Sequence, residues 1–149
     1  MNTNFLIRNY QPSDYQEITI LWEKTEISNP KRCDTSEVIE KTLQCGGKFF
    51  VLVDIEKNLI LGTSWLTNDG RRIYLHHFAV LPEYQGKGLS KPLMRESLRF
   101  AKQQQMQIRL EVHKNNVKAL NLYKKYGFAY LGEYETYIIR NINEINENR

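Results

Sequence analysis

The sequence predicts an α/β protein with a mixed, mainly antiparallel sheet of about seven strands, a parallel central pair and about four flanking helices. Three features point to it. Three runs rich in β-branched and aromatic residues follow one another across "KFFVLVDIEKNLILGTSWLTNDGRRIYLHHFAVLP". The third run is followed by a helical pattern and then by another strand, which implies a right-handed crossover and a parallel pair. Helical periodicity also recurs before and after this block. With 149 residues the chain suits one domain, 1–149, large enough to bury a core.

The elements follow in order. "FLIR" at Phe5 to Arg8 reads as a short strand. A helix then opens at Ser13 with Gln16 three residues on, a capping-box spacing, and carries Ile18, Leu21 and Trp22 on one stripe. Past the polar link "SNPKRCD", Asp34 with Glu37 signals a second cap, and Val38, Ile39 and Leu43 face the core until Gly46 and Gly47 stop the helix. The three strand runs are separated by "EKN" and "NDGRR", both suited to hairpin turns. A helix bearing Leu93, Met94, Leu98 and Ala101 leads to strand alternation from Gln107 to His113. A last helix from Asn116 to Tyr126 ends at Gly127, and "FAYLGEYETYIIRNI" alternates like two final strands. The polar tail "NEINENR" is expected to fray.

Composition removes several classes. The chain is 41% apolar and 26% charged, as ordinary globular proteins are, so it is neither disordered nor collagenous. Its longest uninterrupted apolar stretch, Phe49 to Val53, is far short of a membrane span, and no signal-peptide core opens the chain; a cytoplasmic protein is expected, with no membrane partner. Cys33 and Cys45 are too few and too widely spaced for a zinc motif, so no metal is expected and both should be thiols. A net charge of +4 spread along the chain is compatible with an anionic ligand but does not make a nucleic-acid surface.

The most informative stretch is "LPEYQGKGLSKPL", residues 81–93, between a strand's carboxyl end and a helix N-terminus. Such a junction aims unpaired amides and the positive end of the helix dipole at one spot. Gly86 and Gly88 remove the Cβ atoms that would block a pyrophosphate, while Lys87 and Lys91 supply charge. The spacing matches neither a P-loop nor a dinucleotide fingerprint. Taken alone, the two glycines also suit a plain tight turn.

"VLPEYQGKGLSKPLM" resembles the acetyl-CoA-binding motif of the GNAT superfamily of N-acetyltransferases, V-x-P-x-x-(R/Q)-G-x-G-(I/L)-(G/A). Val80, Pro82, Gln85, Gly86, Gly88 and Leu89 match, and Ser90 departs from the usual glycine or alanine while staying small. Downstream, "LEVHKNNVKALNLYKKYGF" is similar to a second signature of the family through Leu110, Val112, Asn116, Ala119, Leu122, Tyr123, Gly127 and Phe128. The resemblance implies a GNAT-like fold and an acetyl-CoA-dependent N-acetyltransferase, with direct attack by a primary amine in a ternary complex. A non-catalytic acyl-CoA-binding module is the alternative. The acceptor would be a small-molecule or peptide amine, and a homodimer would be in keeping with many members. Residues 1–47 match only in their pattern of elements, and they should choose the acceptor.

The resemblance also implies site residues. The backbone of Phe78, Ala79 and Val80 would bond the pantetheine arm and polarise the thioester. Gln85, Gly86, Lys87, Gly88, Leu89 and Ser90 would hold the pyrophosphate. Asn116, which also caps a helix, would touch the coenzyme. Tyr123 aligns with the tyrosine that protonates the departing thiolate, for which a phenol of pKa about 10 is suited; the same stripe position also suits a packed aromatic. Glu111 has the spacing of a glutamate that accepts the amine proton, and is equally at home as a polar strand residue. His76 is the better match of two histidines to a base relaying a proton through water. Strand alternation would send His76 and His77 to opposite faces.

Overall fold

The computed structural model describes residues 4–146. Five strands form one sheet in sequence order: β1 (Phe5–Asn9), β2 (Lys48–Asp54), β3 (Leu59–Asn68), β4 (Arg72–Val80) and β5 (Gln107–Leu110). The first four are antiparallel neighbours, and β5 joins β4 in parallel. Four α-helices accompany them: α1 (Tyr15–Lys24), α2 (Ser36–Gln44), α3 (Ser90–Gln104) and α4 (Val117–Lys125). The chain divides into two compact units. One runs through Ser28 and over Asp34–Glu111; the other takes Asn29–Cys33 and the chain from Val112 onward.

In the first unit the sheet is sandwiched, and the alternation of β3 shows how. Thr63 and Trp65 point to α1 and α2, where the Trp65 indole donates to the Thr42 hydroxyl at 2.9 Å. Ser64 points the other way and shares a 2.6 Å hydrogen bond with Ser97 of α3. Phe49, Ile18, Leu21 and Ile39 fill the first layer, and Leu93 and Met94 are fully buried in α3. The predicted hairpins close on carboxylates. Asp54 Oδ1 accepts from the amides of Glu56 and Lys57, and Asp69 Oδ1 from those of Arg71 and Arg72. No helix among the described residues is long and apolar enough to cross a membrane.

The second unit holds α4, a 3-10 turn at Pro30–Arg32 and a further one at Ile142–Glu144. Arg140 donates to the Lys31 carbonyl at 3.2 Å, which groups the 29–33 segment with the C-terminal chain.

Several expectations need correction. Five strands are described, not about seven, because residues 128–142 form no strand. Alternation states only a preference; a strand also needs a partner ladder. None of the described strands pairs with this segment, and Tyr130, Tyr134, Tyr137, Ile138 and Ile139 are exposed. The parallel pair therefore lies at one edge of the described sheet, not at its centre. β5 ends at Leu110, short of His113. At the entrance to α1 the capping box is Gln11 with Asp14, not Ser13 with Gln16, because Pro12 opens a 3-10 turn first. α2 is capped by Thr35, whose hydroxyl accepts from the Val38 amide, and not by Asp34. The Asp34 carboxylate is held elsewhere. Of the polar tail, Asn143 and Glu144 belong to a turn over Ile142–Glu144, and residues 147–149 lie outside the described residues.

Candidate functional site

The centre of the first unit is an irregularity in β4. Its register against β3 pairs His76 with Trp65 and Ala79 with Thr63, so His77 and Phe78 together oppose the single residue Ser64. This is a β-bulge, and it sits where His77 adopts φ 46°, a left-handed conformation that costs a non-glycine residue about 1–3 kcal/mol. The surroundings hold it there. The Thr63 hydroxyl donates to the His77 carbonyl at 2.6 Å and accepts from the Trp22 indole at 3.0 Å. His77 Nε2 lies 3.1 Å from Asp34 Oδ2, and the ring packs 4.2 Å from Trp22 and 5.4 Å from Trp65. Across the bulge, a Cβ on Gly62 would come within 2.8 Å of the Ala79 carbonyl, so only glycine permits this approach.

The bulge overturns the alternation expected of the two histidines. Both rings lie beside Trp65, His76 at 5.9 Å and His77 at 5.4 Å, because the left-handed residue resets the direction of the side chains. His76 shares a 2.9 Å hydrogen bond with the Thr67 hydroxyl and stacks on Tyr74, whose ring carries the Arg109 guanidinium at 5.2 Å.

The other edge of β4 changes at the same level. β5 pairs with it only from Arg72↔Gln107 to Leu75↔Leu110. From His76 to Val80 no described strand lies on that side. His76 and Glu111 are each the next residue beyond the last rung, and Glu111 is exposed. Phe78, Ala79 and Val80 thus lie on β4 beyond its last rung with β5.

That edge runs into the glycine loop. After Val80 the chain makes a 3-10 turn at Pro82–Tyr84, and the Gln85 side chain donates back to the Val80 carbonyl at 2.9 Å, closing the loop on the strand it leaves. Gly86 and Gly88 take φ 75° and 79°, and a Cβ on either would meet no heavy atom within 4 Å. Both need glycine for their backbone, and both face open space. α3 begins at Ser90, behind a buried Leu89, with no side chain capping its first amides. Lys87 and Lys57 converge on the Tyr84 ring at 4.9 and 5.3 Å, and Lys57 donates to its hydroxyl at 2.9 Å. An uncapped 15-residue helix, two Cβ-free positions and two ammonium groups nearby suit a diphosphate.

The second unit carries the remaining two candidates. Asn116 Oδ1 accepts from the Ala119 amide at 3.1 Å and caps α4, as expected. Tyr123, half-buried on the same helix, packs edge-on against Phe128 with ring centres 5.7 Å apart, and burial pushes its phenol up to about 12.

Sequence reasoning missed Trp22, Asp34, Gly62 and Thr63 as neighbours of this edge. Trp22 was legible only as core and Asp34 only as a helix cap. A threonine and a glycine inside the otherwise apolar "LILGTSWL" were the one signal available.

Together, the fold and the loop define an α/β protein in which the end of β4 runs through a two-glycine turn into the start of α3. The Acetyltransferase (GNAT) family pattern matches residues 15–128, and the chain belongs to that family. The family is one of acetyl-CoA-using acyltransferases. Solved structures share the fold. An acetyltransferase from Streptococcus agalactiae superposes with a TM-score of 0.76 at 18% identity, covering 93% of each chain. A GNAT-family acetyltransferase from Staphylococcus aureus gives 0.73 at 24% identity, covering 83% of this chain and 82% of its own. AAC(6')-Iy, in complex with the bisubstrate analog CoA-S-monomethyl-acetylneamine, gives 0.73 at 15% identity over 93% of this chain and 99% of its own.

Proposed function

We propose that residues 1–149 form a single N-acetyltransferase domain that moves an acetyl group from acetyl-CoA to a primary amine by direct attack in a ternary complex. The observation that supports this reading is that β4 continues past its last rung with β5 straight into the Gly86–Gly88 loop and the start of α3, whose N-cap Leu89 offers no side-chain cap. A coenzyme with a linear arm and a diphosphate needs those two features in that order. The CoA-linked amine held by AAC(6')-Iy, on the same fold, is in keeping with it.

Each group of residues has its task. Amides of Gly86 to Ser90 and the ammonium of Lys87 neutralise the diphosphate, and Gln85 holds the loop closed. The main chain of Phe78, Ala79 and Val80 aligns the pantetheine arm and stabilises the oxyanion that develops on the thioester carbonyl. Acetyl-CoA supplies an activated acyl carbon; attack by the amine nitrogen forms the C–N bond and breaks the C–S bond. Asn116 contacts the coenzyme while it caps α4. The Tyr123 phenol, pushed up to about 12 by burial, stays protonated at neutral pH and gives its proton to the departing thiolate. Glu111 or His76, each one residue past the last β4–β5 rung, accepts the proton shed by the amine.

The test mixes the protein with acetyl-CoA and a panel of small-molecule and peptide amines while free thiol is followed. Thiol release with at least one amine is expected. Coenzyme binding without release from any acceptor would make the chain a non-catalytic acyl-CoA-binding module. Failure to bind acetyl-CoA would overturn both.

A further inference from the structure

Three elements converge on the one left-handed residue of β4. α1 sends the Trp22 indole, β3 sends the Thr63 hydroxyl, and the connection into α2 sends the Asp34 carboxylate. Thr63 is fully buried, and its single oxygen serves both neighbours, accepting from Trp22 and donating to the His77 carbonyl. The His77 side chain is only 5% exposed, and its ring packs against both tryptophans of the chain, themselves stacked 6.3 Å apart, while Nε2 reaches Asp34. Asp34 is itself anchored, its carbonyl accepting from the Tyr15 hydroxyl at 3.1 Å. A regular strand would bring neither the His77 carbonyl to Thr63 nor its ring to Trp22. The clamp and the kink therefore depend on each other.

We propose that His77 is a positioning residue: fixed at its carbonyl by Thr63 and at its ring by Asp34, it sets the kink that orients the main chain of Phe78 to Val80, and so couples the segment entering α2 to coenzyme binding. The proposal rests on the acetyl-CoA reading above. A shift of Asp34 is transmitted through the His77 ring to the strand edge one residue on. A ligand along that edge is transmitted back to Asp34. The two tryptophans packed against the ring report on this clamp directly.

The variant Thr63→Val replaces the hydroxyl with a methyl of similar size, leaving the His77 carbonyl and the Trp22 indole unpaired. Calorimetry should find acetyl-CoA bound about tenfold more weakly, with Thr63→Ser restoring affinity to within about twofold. Asp34→Ala should weaken binding about threefold. In the unaltered protein acetyl-CoA should change tryptophan emission, and Thr63→Val should diminish that change. A purely structural role would lower Tm and leave the affinity of the folded protein and its emission response untouched. Wild-type affinity in a folded Thr63→Val protein overturns the proposal; if that variant does not fold, wild-type affinity in Asp34→Ala does so. Where the unaltered chain binds acetyl-CoA and the variants bind it equally well, only the positioning role falls. Where the unaltered chain does not bind, the acetyltransferase reading falls first.

Discussion

Tyr123 shows how a single residue's chemistry depends on its setting. An ordinary phenol loses its proton at about pH 10. Burial pushes this one up to about 12, which keeps it a donor across the working range but makes it a weaker acid. Tyr123→Phe should therefore lower kcat by about 10²-fold or more while changing acetyl-CoA affinity less than about threefold, the pattern of a group that acts in the transition state. Unchanged turnover would remove Tyr123 from the acid role. The pH profile offers a second check. Loss of the Tyr123 proton should produce no alkaline limb below about pH 10, because the raised pKa keeps the donor form filled there.

At the scale of elements, the glycine loop and the start of α3 act together. Gly86→Val places a β-branched residue at φ 75°, a strain of about 1–2 kcal/mol, although no protein atom blocks its Cβ. The fold should survive, with a modest fall in Tm. Acetyl-CoA binding by calorimetry should weaken by about tenfold or more, because the valine occupies the approach of the diphosphate and disturbs the amides that would receive it. Undiminished affinity would refute the cradle. The same scale explains which sequence signals misled. Asp34 has the composition of a cap, but Thr35 is one residue closer to the helix and takes the amide, leaving the carboxylate for His77. Ser13 likewise yields to Gln11 and Asp14 because Pro12 starts a turn one step earlier.

For the molecule as a whole, two buried groups bound the pH range of stability. Asp14 loses solvation on burial, which alone would raise its pKa, but a bidentate pair with Arg8 at 2.7 and 2.9 Å and the Gln11 amide at 2.8 Å outweigh this and hold it below its ordinary 3.8. A depressed carboxylate contributes stability above the unfolded pKa, and that contribution is lost as pH falls through the folded one. On the alkaline side, burial and then the nearby Glu40 and Asp14 charges push Tyr10 up to about 12, and its hydroxyl has no hydrogen-bond partner among the described residues. A raised phenol contributes below pH 10, and that contribution disappears as pH approaches 12. Denaturant midpoints should hence fall below about pH 4 and again above about pH 10. Arg8→Ala should flatten the acid limb and Tyr10→Phe should reduce the alkaline one. A midpoint independent of pH at either end would contradict the corresponding assignment.

The sequence by itself determined the order of the five described strands and four helices, the two hairpin turns, the glycine loop and the family. These follow from local periodicity, turn chemistry and residues fixed at short spacing, all written in neighbouring positions. Only the tertiary structure decided that His76 and His77 share a side, that residues 128–142 add no strand to the described sheet, and that Asp34 serves β4 and not α2. Each of these turns on hydrogen bonds between distant positions, such as Trp22 with Thr63 and Thr63 with His77. Local preference cannot specify them, because a residue's own neighbours do not reveal which far segment will pack against it or bend its strand.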